Sequence, residues 1–297
     1  MSEAALETLP AGPQVQRHVP LRFALVLPLI PALLVVTVLF AYPVLVLLTR
    51  SFQANTGGWS LESYERIFEH RAYFHIMVNT LWMSAESTLV TLILGYPLAY
   101  LLTKVRASVA ALLVALISVP YFTSSLVRTY AWIVLLGTGG VLNQSLVSLN
   151  IPGAPYRLMY TELGVIIGLS YVLLPFMVLV LYSVMSGIDG RLLQAAASVG
   201  ASPLRAFIKV YIPLTLPGVV AGCLLTFIQA IGAYITPALM GGLGQTVLAT
   251  VIQQNINRLD QWNFAAALAV MLLVVTAGTL VLFDRLVGIN RLFEAKW

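Results

Sequence analysis

The chain has 297 residues, 60% of them hydrophobic and only 9% charged, and its mean hydropathy is +0.93. Soluble domains are about 45–50% apolar and about 25% charged, so this composition excludes a water-soluble globular protein and marks an integral membrane protein. The net charge of +5 is spread beside apolar runs and not clustered, which argues against a nucleic-acid partner, and the single cysteine, Cys223, permits no internal disulfide.

Residues 1–22 are polar, with Glu3, Glu7 and prolines at 10, 13 and 20, and read as a flexible N-terminal tail. The apolar run that follows is too long for a cleaved signal peptide and serves as an uncleaved anchor. A bilayer span needs about 20 apolar residues. Six runs qualify: Phe23–Leu48, Ile76–Leu102, Val109–Leu136, Leu163–Met185, Leu214–Leu239 and Phe264–Val287. Helices are expected, because the strands of a membrane barrel are shorter and alternate. The third run contains Pro120 and a polar Thr123-Ser124-Ser125 patch, where it is expected to break or bend, with its last part from about Arg128 lying at the outer interface. Trp59–Phe74 is expected to hold a short helix with Leu61, Tyr64, Ile67 and Phe68 on one face, either lying on the membrane surface or capping the bundle.

Six spans place both termini on one side. With the termini inside, Arg17, Arg22, Lys104, Arg106, Arg191, Arg205, Lys209, Arg285, Arg291 and Lys296 are cytoplasmic, against Arg50, Arg66, Arg71, Arg157 and Arg258 outside. That excess of ten over five supports cytoplasmic termini by the positive-inside rule. The expected organisation is a cytoplasmic N-terminal tail (1–22), a transmembrane domain (23–287) with a cytoplasmic loop at 187–213, and a cytoplasmic C-terminal tail (288–297). The histidines, His18, His70 and His75, lie at or outside span ends in no zinc-like pattern, so no metal is expected.

The loop DGRLLQAAASVGASPLRAFIKVYIPLTLPG, Asp189–Gly218, carries dense local signals. Asp189 can cap a helix through Gly190–Val199, and Gly200 suits a left-handed stop. Ser202-Pro203 then starts a second helix that should run to about Tyr211, because Pro213 disfavours helix at Ile212. The small side chains of Ala195, Ala196 and Ala197 let another backbone approach closely. Physics alone leaves two readings, a knob that docks into a partner's groove or a plain interfacial connector.

The pattern resembles the cytoplasmic loop of importer-type ABC permeases: Glu-Ala-Ala, three residues, Gly, nine residues, then Ile-x-Leu-Pro. Here Gln194-Ala195-Ala196, Gly200, Val210, Ile212 and Pro213 stand at that spacing, with Gln194 in place of the usual Glu. LGYPLAYLL (Leu94–Leu102), SSLVRTYAWIVLLG (Ser124–Gly137), YVLLPFMVLVLY (Tyr171–Tyr182) and GAYITPALMGG (Gly232–Gly242) resemble the first permease subunit of spermidine/putrescine importers. The resemblance implies an all-α membrane protein with six transmembrane helices and the type I ABC importer permease fold. It implies a bacterial inner-membrane location and a second, homologous permease subunit in the same assembly. Two ATP-binding-cassette ATPase subunits would grip the loop at Gln194, Ala195, Ala196, Gly200 and Pro213, and a periplasmic solute-binding protein would deliver a polyamine or another small organic solute. The chain has no G-x-x-x-x-G-K-[ST] phosphate loop, so ATP and Mg would be bound by those partners and no cofactor by this chain.

Within the spans, Glu86 lies mid-helix and Arg128 toward the outer end of the third run. A carboxylate at that depth is costly unless it is paired, protonated or hydrated. Glu86 and Arg128 are therefore read either as a structural ion pair, or with Glu86 facing the path and attracting a cationic solute. Aromatic faces attract ammonium groups, which makes Tyr121, Tyr130, Trp132, Tyr171 and Tyr234 path candidates. Tyr171 and Tyr234 lead, since each precedes a proline (Pro175, Pro237) within a span, where a kink suits a cavity wall. Gly164-x-x-x-Gly168 and Gly218-x-x-x-Gly222 should permit close packing, within the subunit or against its sister. Asn79, Gln229 and Asn263 are expected to bond between helices. An ion-driven secondary transporter would need coupling carboxylates and internal repeats, and an intramembrane enzyme a Ser/His pair or H-E-x-x-H; neither pattern is present.

Overall fold

The structure, a computed structural model, describes residues 29–54 and 57–287. The expected tails, 1–22 and 288–297, lie outside the described residues. The chain divides into two units, Met1–Leu47 and Leu48–Trp297. Helix α1, Leu29–Ser51, begins in the first and ends in the second, with Pro43 inside it. The second unit holds α2 (Glu62–Glu69), α3 (Arg71–Leu102), α4 (Ala107–Phe122), α5 (Ser125–Leu136) and α6 (Val141–Ser148), then α7 (Glu162–Ser186), α8 (Arg191–Ser198) and α9 (Pro203–Ile231). It closes with α10 (Ile235–Met240), α11 (Leu248–Asn257) and α12 (Trp262–Val287). Six helices among the described residues are long and apolar enough to cross a membrane, when Ser125–Ser148 is taken as one.

Three of these helices make the core. Ser170 Oγ of α7 donates to the Ser87 carbonyl of α3, and Gly95 of α3 lies against Met177 of α7, so α3 and α7 run parallel. Gly218 and Gly222 of α9 lie against Val184 and Met177 of α7, so α9 runs antiparallel to it. The fit is close: a Cβ at Gly95 would sit 3.0 Å from Met177 Cγ, one at Gly222 2.8 Å from Met177 Sδ, and one at Gly218 2.9 Å from Val184 Cβ. Both glycine motifs thus pack within the chain, since Gly168 likewise faces Thr236 and Met240 of α10. Met177, Val178 and Leu181 are fully buried between the three helices.

The buried face of α3 is rich in hydroxyls, which explains how a weakly apolar span sits in the centre. Thr80, Ser84 and Thr88 each donate to the carbonyl four residues back at 2.7 Å, and Thr91 does so at 2.6 Å. Their polar groups are met locally, leaving small side chains for helix contact. Thr80 Oγ1 also accepts from the Leu248 amide at 2.9 Å, and Asn79 Nδ2 donates to the carbonyls of Gly244 and Thr246, fixing the start of α11 against α3. Asn263 Nδ2 donates to the Ala54 carbonyl. Asn79 and Asn263 thus tie their helices to connecting segments, and not to other helices as expected.

Several expected boundaries move. The third run is two helices, with Thr123 and Ser124 extended between α4 and α5 at the polar patch. At 1.5 Å per residue, α4 is about 24 Å long, short of the roughly 30 Å hydrocarbon thickness. The helix in 59–74 caps the bundle: Ile67 is buried with Leu248, Phe264 and Leu268, while Leu61 and Phe68 stay exposed.

The expected stop before Pro213 does not occur, because α9 runs unbroken from Pro203 to Ile231. A π-helical turn at Phe207–Tyr211 lets the Ile212 amide reach back five residues to the Phe207 carbonyl. The extra residue changes the register just ahead of Pro213, where an α-turn would drive a carbonyl into the proline ring. The fifth run also ends early: α9 stops at Ile231, and Ile235–Met240 is a separate helix with Pro237 in its first turn.

Gly218→Leu should lower the thermal stability of the detergent-solubilised protein by about 1–3 kcal/mol through overpacking on the stiff, β-branched Val184. Adding Val184→Ala should recover much of that loss, whereas Gly244→Ala, with nothing within 4 Å of its Cβ, should leave the melting temperature unchanged.

Candidate functional site

Two regions sit at opposite ends of the core. At the end where α7 finishes and α9 begins, residues 189–213 form a compact knob. Asp189 Oδ1 accepts from the Arg191 amide at 2.9 Å, one position earlier than a standard cap because Gly190 occupies the cap position. The helix stops at Gly200, whose φ of +84° is open to glycine and strained for other residues. The Gly200 and Ala201 amides return to the Ala197 and Ala196 carbonyls, satisfying the helix end. Ser202 then caps α9 by accepting from the Arg205 amide, with Pro203 in the first helical position.

The knob is anchored on one side and bare on the other. Leu193 packs toward the core with Phe207, Tyr211 and Met185. Tyr100 of α3 meets the rings of Phe207 and Tyr211 edge-on, at 5.3 and 5.2 Å, and those two rings stack on each other at 5.4 Å. Deeper in the core, the Tyr96 hydroxyl and Thr215 Oγ1 lie 3.0 Å apart across α3 and α9. The opposite surface of α8 presents Gln194, Ala195 and Ala197 to solvent, and Val199 is 85% exposed and Leu204 69%. Of the expected coupling residues, Gln194, Ala195 and Gly200 are exposed, Ala196 is half-buried, and Pro213 lies inside α9.

At the other end, the α4–α5 break opens two cavities. One, of about 310 Å³, is lined by Tyr121, Arg128, Phe176, Gln229, Tyr234 and Thr236 among others. The second, of about 320 Å³, is lined by Pro120, Thr123, Arg128, Trp132 and Tyr171 among others. Trp132 and Tyr171 meet edge-on at 5.3 Å, and Tyr121 and Phe176 at 4.7 Å. Trp132, Tyr171, Tyr234 and Tyr121 are therefore gathered around Arg128. Tyr130 lines neither cavity and is exposed.

The expected Glu86–Arg128 pair is not formed. Arg128 Nη1 donates to the Pro120 carbonyl and Nη2 to Ser125 Oγ, so the guanidinium bridges the break between the two helices. Glu86 is half-buried on α3, where Trp82 and Glu162 face it and its Oε2 has no partner. Position along two spans says nothing about rotation around them, and the two side chains turn to different partners. Tyr234 also owes its place to a different cause than expected, since it precedes a short helix and not a kink in a span.

The sequence reading passed over Phe176 and Thr236, and cast Gln229 as an interhelical bond when it faces a cavity. Glu162 was also missed, although it stands directly before the fourth apolar run, where an acid can enter a helix's first turn.

The family described as "Binding-protein-dependent transport system inner membrane component" matches residues 87–289. The chain belongs to this family. It is a multi-pass permease subunit of the inner membrane. The permease is similar to the spermidine/putrescine transport system permease protein PotB of Escherichia coli, 40% identical over 227 residues that cover 76% of this chain and 82% of that protein. The Haemophilus influenzae protein of the same name is 37% identical over 260 residues, 86% of this chain and 90% of its own. Among solved structures, a bacterial ABC transporter involved in the import of the acidic polysaccharide alginate matches with a TM-score of 0.73 at 16% identity, covering 90% of this chain and 95% of that one. The MetNI methionine ABC transporter matches at 0.54 and 20% identity, covering 71% and 92%. At those identities the structural likeness is one of fold, and it bears out the expected ABC importer permease architecture.

With the assembled importer in vesicles, Trp132→Ala should raise the solute concentration for half-maximal uptake about three- to tenfold, the scale of one lost aromatic contact. Glu86→Gln should stay within about twofold of the parent, because Glu86 lines neither cavity.

Proposed function

We propose that this permease is one of two membrane-spanning subunits of an ATP-driven importer for a small cationic solute of the polyamine class, such as spermidine or putrescine. The observation that carries the mechanism is the knob at 189–213, capped at both helix starts and bare on its outer face. Its similarity to PotB supports the solute class. In this reading the knob and both termini are cytoplasmic, as the excess of basic residues on that side supports. Residues 23–287 form the transmembrane domain, between cytoplasmic tails at 1–22 and 288–297.

The permease carries out no chemistry on its solute. ATP and Mg are bound by two partner ATPase subunits, one of which docks on Gln194, Ala195 and Gly200. A second homologous permease completes the path, and a periplasmic binding protein delivers the solute. Closure of the ATPases moves α8, and Leu193 and the Tyr100–Phe207–Tyr211 cluster pass that displacement to α3 and α9. Stiff coupling is expected because packed aromatic rings deform little. The aromatic cavities at the far end offer ring faces to the ammonium groups once the path opens.

Ala195→Trp tests the docking role, since this exposed side chain supports nothing within its own chain. In the complete importer it should cut ATP-driven uptake at least about tenfold, while the permease still inserts and melts as the parent does. Parent-like uptake and ATP hydrolysis in that variant would remove the docking role.

A further inference from the structure

Arg128 is 8% exposed and lies where both cavities meet. Its guanidinium has two hydrogen bonds, both to neutral oxygens, and its Nε is buried without a partner. The cavity linings contain no acidic residue, and the titratable side chains that act on the guanidinium are Tyr121 and Tyr171. Glu86, the acid expected to pair with it, faces Trp82 and Glu162 instead. The bundle thus holds a permanently charged group with no countercharge among the described residues.

Bridging the α4–α5 break does not call for a charge, since a neutral donor could serve the Pro120 carbonyl and avoid the desolvation cost of an ion. What the charge adds is a positive potential in the two spaces a cation would enter. Between unit charges about 6–8 Å apart in a medium of effective dielectric about 20, the repulsion corresponds to tenfold or more in occupancy. Pores use fixed arginines in this way to reject cations.

We propose that Arg128 is the electrostatic seal of the resting path. In this conformation it bars cations, inorganic ions and solute alike, and the ATP-driven rearrangement has to move or neutralise it before a polyamine passes. The inference rests on the importer reading above and adds a specificity-determining residue to it. Arg128 is a gatekeeper by charge and not a solute ligand. A cation importer needs such an element because a site attractive to ammonium groups would otherwise admit other cations between cycles.

The test uses the complete importer in liposomes without ATP, reading rubidium efflux and iodide efflux in parallel, with ATP-driven uptake of spermidine measured in the same preparation. Arg128→Gln should raise rubidium efflux at least about tenfold and leave iodide efflux unchanged or lower, while Arg128→Lys should stay tight. Gln229→Glu supplies an independent variant, because it places a carboxylate on the wall of the first cavity, which Arg128 also lines, without altering the Arg128 side chain itself. It should raise rubidium efflux in the same ion-selective way. Equal leakage of rubidium and iodide in Arg128→Gln would mean a structural staple only and would overturn the seal, as would parent-like rubidium efflux in Gln229→Glu. Loss of spermidine uptake by the parent itself would count against the importer reading, and the efflux ratios would still report on the seal.

Discussion

The close approach of α3, α7 and α9 is the constraint on which everything else rests. Without a hydrophobic driving force between helices in lipid, association depends on backbones coming near enough for dense contact. Gly95, Gly218 and Gly222 permit that approach, and Met177 fills the space between two of them without exposure. The hydroxyls of Thr80, Ser84, Thr88 and Thr91 on α3 bond to their own backbone, so these polar residues can pack there with their donors satisfied. A core built this way is stiff, and stiffness lets an event at one end be felt at the other.

Both candidate regions hang on the ends of that core. The knob is fastened to it by Leu193 and by the three-ring cluster of Tyr100, Phe207 and Tyr211. The cavities open at the far end, where the α4–α5 break, α7, α9 and α10 converge. The π-turn before Pro213 joins the second helix of the knob to the core as one continuous helix. The break between α4 and α5 is the counterpart: irregular backbone at membrane depth is tolerated only where protein meets its polar groups. Arg128 does this for the Pro120 carbonyl.

The sequence was most legible where a backbone conformation demands one residue type at one spacing. Gly200, Ser202 and Pro203 announce their turns because few other residues can make them, and the structure has each in that role, while Asp189 holds the first helical amide from one position before the cap. The polar patch at Thr123–Ser125 marked the helix break for a similar reason. What could not be read were matters of rotation and register. The continuous α9 was hidden because the effect of Pro213 depends on a π-turn that leaves no residue signature. The Glu86–Arg128 pair failed because spans give depth and not azimuth, and Arg128 swings to the broken end of α4 once the helix is interrupted. Trp132, Tyr171 and Tyr234 follow from general aromatic chemistry, but their convergence on Arg128 is a tertiary fact.

In the proposed function the permease is a passive gate, moved by an engine that grips its α8 end. The most direct measurement reconstitutes the purified permease into vesicles, alone or with its permease partner, ATPase subunits and binding protein, and follows spermidine accumulation. A passive gate should show accumulation only in the complete set and only with ATP, and none by the single chain under a proton or sodium gradient. Accumulation by the single chain on such a gradient would contradict it.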